Sequence, residues 1–294
     1  RKISENLYSI TVMLVNDEEE KSNGTRCIFQ PTIEISTSEN EFTFCEYSQL
    51  TDFARLGLEE QSLELQYRNK KVYGTGLGTS VGWSIDSTGN GKIYNDFFPE
   101  SEVPSMDFSL PEKYHVEKDS FSMKILSDLC DKPKAQKIAS LKTVVKAYKS
   151  WIDDLSDKLL SLDSKYHNVA SINIEGCKKA FERMAHGIEL LESDSKVWDA
   201  FVLANRAMFM QRVHLALQGV TSDVDRYPGD EELSKLFAGL DYLVDDGITG
   251  NKYFWRPFQI AFMLMSIGAI TEDHSDDRDL VDLIWFPTGG GKTE

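Results

Sequence analysis

The chain lacks a long apolar run, has few cysteines and little proline, and each shortage excludes a class of protein. Its longest apolar stretch, Ile260 to Ile270, is 11 residues and is interrupted by Ser266 and Gly268, against the roughly 20 that a bilayer span needs. Arg1 and Lys2 lead into a polar stretch rather than the apolar core of a secretory leader. The four cysteines (Cys27, Cys45, Cys130 and Cys177) form no C-x-x-C pair and no ligand spacing with the five histidines. They read as the reduced thiols of a cytoplasmic protein, with no structural metal and no membrane partner expected. Eight prolines without repeats or low-complexity tracts exclude a collagen-like or Pro-rich disordered chain. What remains is globular in composition, 41% hydrophobic and 27% charged, with length for about two domains of roughly 150 residues.

Positive charge is also short, with a net charge of −16, and such a field repels a polyanion at low salt. The shortage is uneven. Residues 1–131 carry net −11, residues 132–220 net +4 and residues 221–294 net −9. Any nucleic-acid contact therefore has to use local basic surface, and the middle stretch is the only one with a positive balance. Solvated faces of Lys-rich helices explain the same numbers.

Residues 1–131 read as a β-rich domain. Apolar residues alternate at Ile10, Val12 and Leu14, at Phe29, Ile33 and Ile35, at Phe42 and Phe44, and at Leu63, Leu65 and Tyr67. Asn90-Gly91 between Trp83-Ser84-Ile85 and Ile93-Tyr94 signals a tight hairpin, because it tolerates positive φ. Short strands with no intervening helix imply an antiparallel sandwich or barrel, from which Pro99, Pro104 and Pro111 carry the chain onward. Residues 132–248 read as helical. Ile138, Leu141, Val144, Val145, Tyr148, Trp151, Ile152, Leu155 and Leu159 advance by three or four along one face, while Lys142, Lys146 and Lys149 share another. Two further helices are expected over Ile174–Leu191 and Ser195–Leu217, and a short acidic one over Glu231–Val244.

The end of the chain carries chemistry. Leu280-Val281-Asp282-Leu283-Ile284-Trp285 has the length of a buried strand and runs into Phe286-Pro287-Thr288-Gly289-Gly290-Gly291-Lys292-Thr293. A strand ending in a glycine-rich turn and Gly-Lys-Thr is a phosphate-cradling loop. Backbone N–H groups must approach the phosphates closely, so side chains beyond hydrogen are excluded at Gly289 and Gly291, with Thr288 and Gly290 completing the cradle. Lys292 neutralises β/γ-phosphate charge, and Thr293 supplies the hydroxyl that ligates Mg²⁺. Upstream, Phe254-Trp255-Arg256-Pro257-Phe258-Gln259 opens an apolar helix with Pro257 in its first turn.

With Phe286 where the general pattern has Gly, the Pro-Thr-Gly variant of the loop resembles superfamily-two helicases. In them a glutamine soon after a proline reads the adenine edge, a role that falls to Gln259, with Phe254 and Arg256 as its neighbours in the nucleotide site. Three further stretches extend the likeness. They are Tyr73-Gly74-Thr75-Gly76-Leu77-Gly78 with Val81-Gly82-Trp83, then Ala200 to Gln211, and Trp255 to Gln259. Together they are similar to helicases of the DrmA type from the DISARM anti-phage defence system of bacteria. The resemblance implies a multi-domain α+β chain, with residues 249–294 opening a RecA-like α/β lobe. It implies ATP and Mg²⁺ as cofactors, Lys292 and Thr293 as catalytic residues, single-stranded DNA as the track and a DrmB-type companion. Lys142, Lys146, Lys149 and Arg206 are the nucleic-acid candidates, Arg206 with a carboxylate partner as the alternative. By itself the segment is expected to hydrolyse no ATP. A nucleotide-sensing scaffold without translocation is the alternative function.

Four other features invite a chemical reading and have a plainer one. Gly74 to Gly78 superficially suggest a dinucleotide loop but lack a following helix, so they read as glycine relief beside a hairpin. Asp273, Asp276, Asp277 and Asp279 lack the glycine hinge and terminal Glu of a calcium loop and read as a solvated linker. His186 and His214, on helices with apolar neighbours, read as core or interfacial histidines.

Overall fold

The structure is a computed structural model that describes residues 1–17, 28–37, 42–46, 52–98, 107, 109–221, 230–240, 242 and 253–283. The chain divides into two compact units, Arg1–Pro104 and Ser105–Glu294. It is mixed helix and small antiparallel sheet, in keeping with a multi-domain α+β protein.

In the first unit, β1 (Lys2–Ser4) pairs with β2 (Leu7–Tyr8), and β3 (Glu34–Ser36), β5 (Gly91–Asp96) and β4 (Ser80–Ile85) form an antiparallel sheet in the order β3-β5-β4. Ile35 and Trp83 both lie opposite Ile93, which puts three apolar side chains in one cross-strand row. Among the described residues these sheets do not make a sandwich or a barrel. The β4–β5 turn is also longer than Asn-Gly implies. Asp86 accepts from the backbone N–H groups of Thr88 and Asn90 at 2.8 and 3.0 Å, Gly89 takes the positive φ of 86°, and Gly91 opens β5. A Cβ on Gly91 would lie 2.0 Å from the Ser84 carbonyl oxygen, so close backbone approach selects that glycine.

Among the described residues three expected strands are absent. Leu63, Leu65 and Tyr67 belong to or follow α1 (Leu58–Gln66), a helix. Its Leu, Glu and Gln residues are good helix formers. Glu60 also reaches back to accept from the Gly57 N–H at 2.9 Å, anchoring the first turn. Three alternating apolar residues were too short a pattern to outweigh these signals. Ile10, Val12 and Leu14 are exposed and in no strand, because no described segment supplies a ladder beside them. Phe42 and Phe44 lie outside any strand too, although the Phe44 N–H donates to the Gly89 carbonyl at 2.8 Å.

The second unit is helical: α2 (Met123–Leu126), α3 (Lys134–Leu159), α4 (His167–Ser193), α5 (Ser195–Thr221), α6 (Asp230–Ala238) and α7 (Pro257–Thr271). The expected stripe on α3 is largely the buried one. Ile138, Leu141, Val144, Val145 and Ile152 join Met184, Ile188 and Leu191 of α4 and Ile260, Leu264 and Ile267 of α7 in one core or beside it, while Trp151 lies at the surface. Helices α4 and α7 cross closely. A Cβ on Gly187 would lie 2.1 Å from the Leu264 carbonyl oxygen, so glycine lets the two backbones touch. Trp255 closes one edge of this core. Its backbone N–H donates to the Phe121 carbonyl at 2.7 Å, and its indole N–H donates to the fully buried Asn205 at 2.7 Å. Asn205 in turn donates to the Phe201 carbonyl at 2.8 Å, so this buried amide is satisfied on both sides.

Candidate functional site

Pro257 and Gln259 fall where a helix start wants them. Pro257 occupies the first position of α7, where its missing N–H has no helical partner. Gln259 sits three residues after the cap residue Arg256, and its side-chain oxygen accepts from the Arg256 backbone N–H at 2.8 Å. That bond fixes the rotamer of the amide. A carboxamide oxygen has two acceptor positions and its nitrogen two donors, so this chemistry suits a ligand edge that offers one donor and one acceptor. Phe254, just upstream, is bridged to Ser122, and the Lys118 ammonium lies 4.5 Å from its ring centroid. That aromatic face already has a cation against it.

The phosphate-loop candidates Thr288, Gly289, Gly290, Gly291, Lys292 and Thr293 lie outside the described residues. The strand expected before them is described from Leu280 to Leu283 only, and there it is not a strand. Val281 and Leu283 are 96% and 86% exposed. A strand exists only in a ladder, and no described segment runs beside these residues.

Arg183 of α4 holds this stretch. Its side chain is only 15% exposed, and its guanidinium donates to both carboxylate oxygens of Asp282, at 2.8 and 2.7 Å. Its Nε lies 3.0 Å from Asp277 but points off that oxygen, so the second contact is an ion pair without a hydrogen bond. The fork holds the Asp282 carboxyl below the usual carboxylate range, and Asp282 raises Arg183 in return. One turn along α4, His186 Nε2 lies 2.8 Å from Glu272, just past the end of α7. That hydrogen bond pushes His186 above its ordinary value, and Glu189 contributes in the same direction. The acidic linker is therefore partly tied down, and no cluster of three metal-ligating side chains occurs among the described residues. His186 and His214 are both interfacial. The His214 ring stacks on Phe237 of α6 with centroids 3.8 Å apart and shares a hydrogen bond with the Tyr242 hydroxyl.

The nucleic-acid candidates do not form one patch. Lys142, Lys146 and Lys149 line a shallow groove between α3 and α4 with Phe181, Ile188 and Glu192. Lys142 pairs with Glu192 at 2.6 Å, and Lys149 lies 5.8 Å from the Phe181 ring centroid. Arg206 is on α5 and pairs with Asp128 at 3.0 Å. Sequence reasoning missed Arg183, whose only signal was a basic residue on the apolar-striped α4. It also missed Lys137, a buried lysine whose ammonium donates to the carbonyls of Ser127 and Cys130. Burial lowers its pKa, although Asp128 and Asp131 oppose the shift.

No protein-family model matches the chain. A curated relative, the DISARM protein DrmA of Bacillus paralicheniformis, is 31% identical over 296 residues, which covers 98% of this chain. The chain spans about a quarter, 24%, of that relative's length. Along nearly all of its own length, the chain resembles the DrmA type of DISARM protein.

Proposed function

We propose that this chain is part of an ATP-dependent DNA helicase or translocase of bacterial anti-phage defence. The carrying observation is the pairing of Gln259, oriented by its bond to the Arg256 N–H, with the sequence Thr288-Gly289-Gly290-Gly291-Lys292-Thr293 further along the chain. In this reading Thr288 to Gly291 cradle the triphosphate with backbone N–H groups. Lys292 neutralises its charge, and Thr293 ligates Mg²⁺. The Gln259 amide accepts from the adenine amine and donates to a ring nitrogen, with Arg256 and Phe254 beside it. In this reading the stretch holding Val281 and Leu283, exposed and in no strand here, becomes a strand of a RecA-like sheet and buries both side chains. DNA, expected single-stranded, is reached by the lysines of the α3–α4 groove and by Arg206, and a DrmB-type protein acts alongside. The DISARM relative supports the defence setting.

The test is DNA-stimulated ATP hydrolysis by the full-length protein. Lys292→Ala is expected to lower kcat at least about a hundredfold, because it removes the cation that meets the developing phosphoryl charge. Hydrolysis at the parent rate in that variant would overturn the reading.

A further inference from the structure

We propose that Phe181 is a base-stacking residue, with Lys146 and Lys149 as cations for the phosphates on either side, and that single-stranded DNA crosses the α3–α4 groove at that point. The proposal deepens the DNA reading above and rests on it, and it concerns α3 and α4 alone. Of the nucleic-acid candidates, Lys142 is committed to Glu192 at 2.6 Å and Arg206 to Asp128 at 3.0 Å. Lys146 and Lys149 are exposed and have no acidic partner among the described residues. They stand three residues apart on one face of α3, about 5–6 Å apart at Cβ. Both ammonium groups therefore reach phosphates that flank one nucleotide.

Phe181 lines the same groove from α4. It is half-buried and packs against the core along with Ala185, so the ring is held in place while part of it faces the groove. Lys149 Nζ is 5.8 Å from the ring centroid, close to the ~6 Å limit of a cation–π contact. A base that stacks on the ring gives up little there and frees Lys149 for a phosphate. Phe254, with Lys118 at 4.5 Å, is less open to such a replacement. The size and charge of the groove select the occupant. Its volume is about 380 Å³, at the low end of the ~300–1,000 Å³ of small-ligand sites. That suits one flat ring system rather than a partner helix about 10 Å across. A strand lying along the whole groove would meet Glu189 and Glu192 on the α4 side, and like charge at close range repels it. Crossing at Phe181 avoids both. Stacking on an aromatic face tolerates any base, as a track must.

Stacking and phosphate contact differ in what salt does to them. With full-length protein, affinity for a labelled oligothymidylate is measured across a salt series. Phe181→Ala is expected to weaken binding about tenfold at every salt concentration and to leave the salt slope unchanged, and Phe181→Trp is expected to keep the parent affinity. Lys146→Gln combined with Lys149→Gln is expected to flatten the slope by about 1.4, or roughly 0.7 for each phosphate no longer neutralised. Lys142→Gln is expected to leave the slope as it is. Parental affinity in Phe181→Ala would overturn the proposal and leave the DNA reading standing. A loss that Phe181→Trp shares would overturn it too, since the phenylalanine would then be structural. Polyglutamate that competes as well as the unlabelled strand would also overturn it, because the groove would then read charge alone. A parent protein that binds no strand at any salt concentration would overturn the DNA reading itself, and the proposal with it.

Discussion

In the second unit, side chains of α3, α4, α5 and α7 close over one another, and Leu141, Leu191, Phe209, Ile260 and Leu264 are fully buried. In the first, among the described residues, Leu65 alone falls among the buried hydrophobics, while Ile10, Met13, Val15 and Phe29 stand in solvent. The first unit is held by a three-stranded ladder, an Asp86-centred turn and a single cross-strand apolar row. Ladder hydrogen bonds contribute little net stability each, because the unfolded chain bonds to water instead. Buried apolar area contributes far more. Removing equal numbers of methylene groups should therefore hurt the two units unequally. Leu264→Ala is expected to destabilise the second unit by about 3 kcal/mol, against about 1 kcal/mol in the first for Ile93→Ala in its half-exposed row. Urea midpoints for both variants check this, and equal losses would break the contrast.

The same contrast governed what the sequence could reveal. Helices α3, α4 and α5 were legible because an apolar stripe over many turns repeats its signal, and α7 because an apolar run follows Pro257, a start that the structure keeps. The strand reading of Leu63 to Tyr67 failed because three alternating residues fit a helix equally well. Local capping by Glu60 then decided the matter. The Asn90-Gly91 signal located the hairpin but not its turn, since Asp86 organises a longer loop. The Gln259 position was readable from neighbouring residues. The Arg183 fork was not, because its partners are 99 residues apart and only the packing of α4 on α7 brings them together.

Glycine substitutions sharpen the comparison at a smaller scale. A Cβ at Gly187 would meet backbone, the Leu264 carbonyl oxygen at 2.1 Å, and neither helix can yield without opening the core. A Cβ at Gly82 in β4 would meet the outer ring atoms of Tyr94 at 2.7 Å, and a ring at a sheet surface can swing aside. Gly187→Ala is expected to cost about 2 kcal/mol and Gly82→Ala less than about 1 kcal/mol. Thermal melting of the two variants decides it. A larger loss from Gly82→Ala would mean that the first unit is packed as tightly as the second.

The smallest expected effect distinguishes the units by charge. All five histidines follow residue 104, so histidine-linked changes in stability belong to the second unit alone. Two of them pull in opposite directions. His186, raised by Glu272 and then Glu189, contributes stability that is complete below about 6.5, the ordinary histidine value, and fades as pH rises through its own higher value. His214, lowered by burial against Phe237, favours the neutral ring. Its contribution is complete above about 6.5 and is lost as pH falls toward its own lower value. The two partly cancel in a global melt, so proton resonances of the individual imidazoles are the better measurement. The His186 midpoint is expected above the ordinary value and the His214 midpoint below it, and Glu272→Gln is expected to move only the former. A reversed order, or two midpoints at the ordinary value, would mean that neither the α4–α7 nor the α5–α6 contact persists in solution.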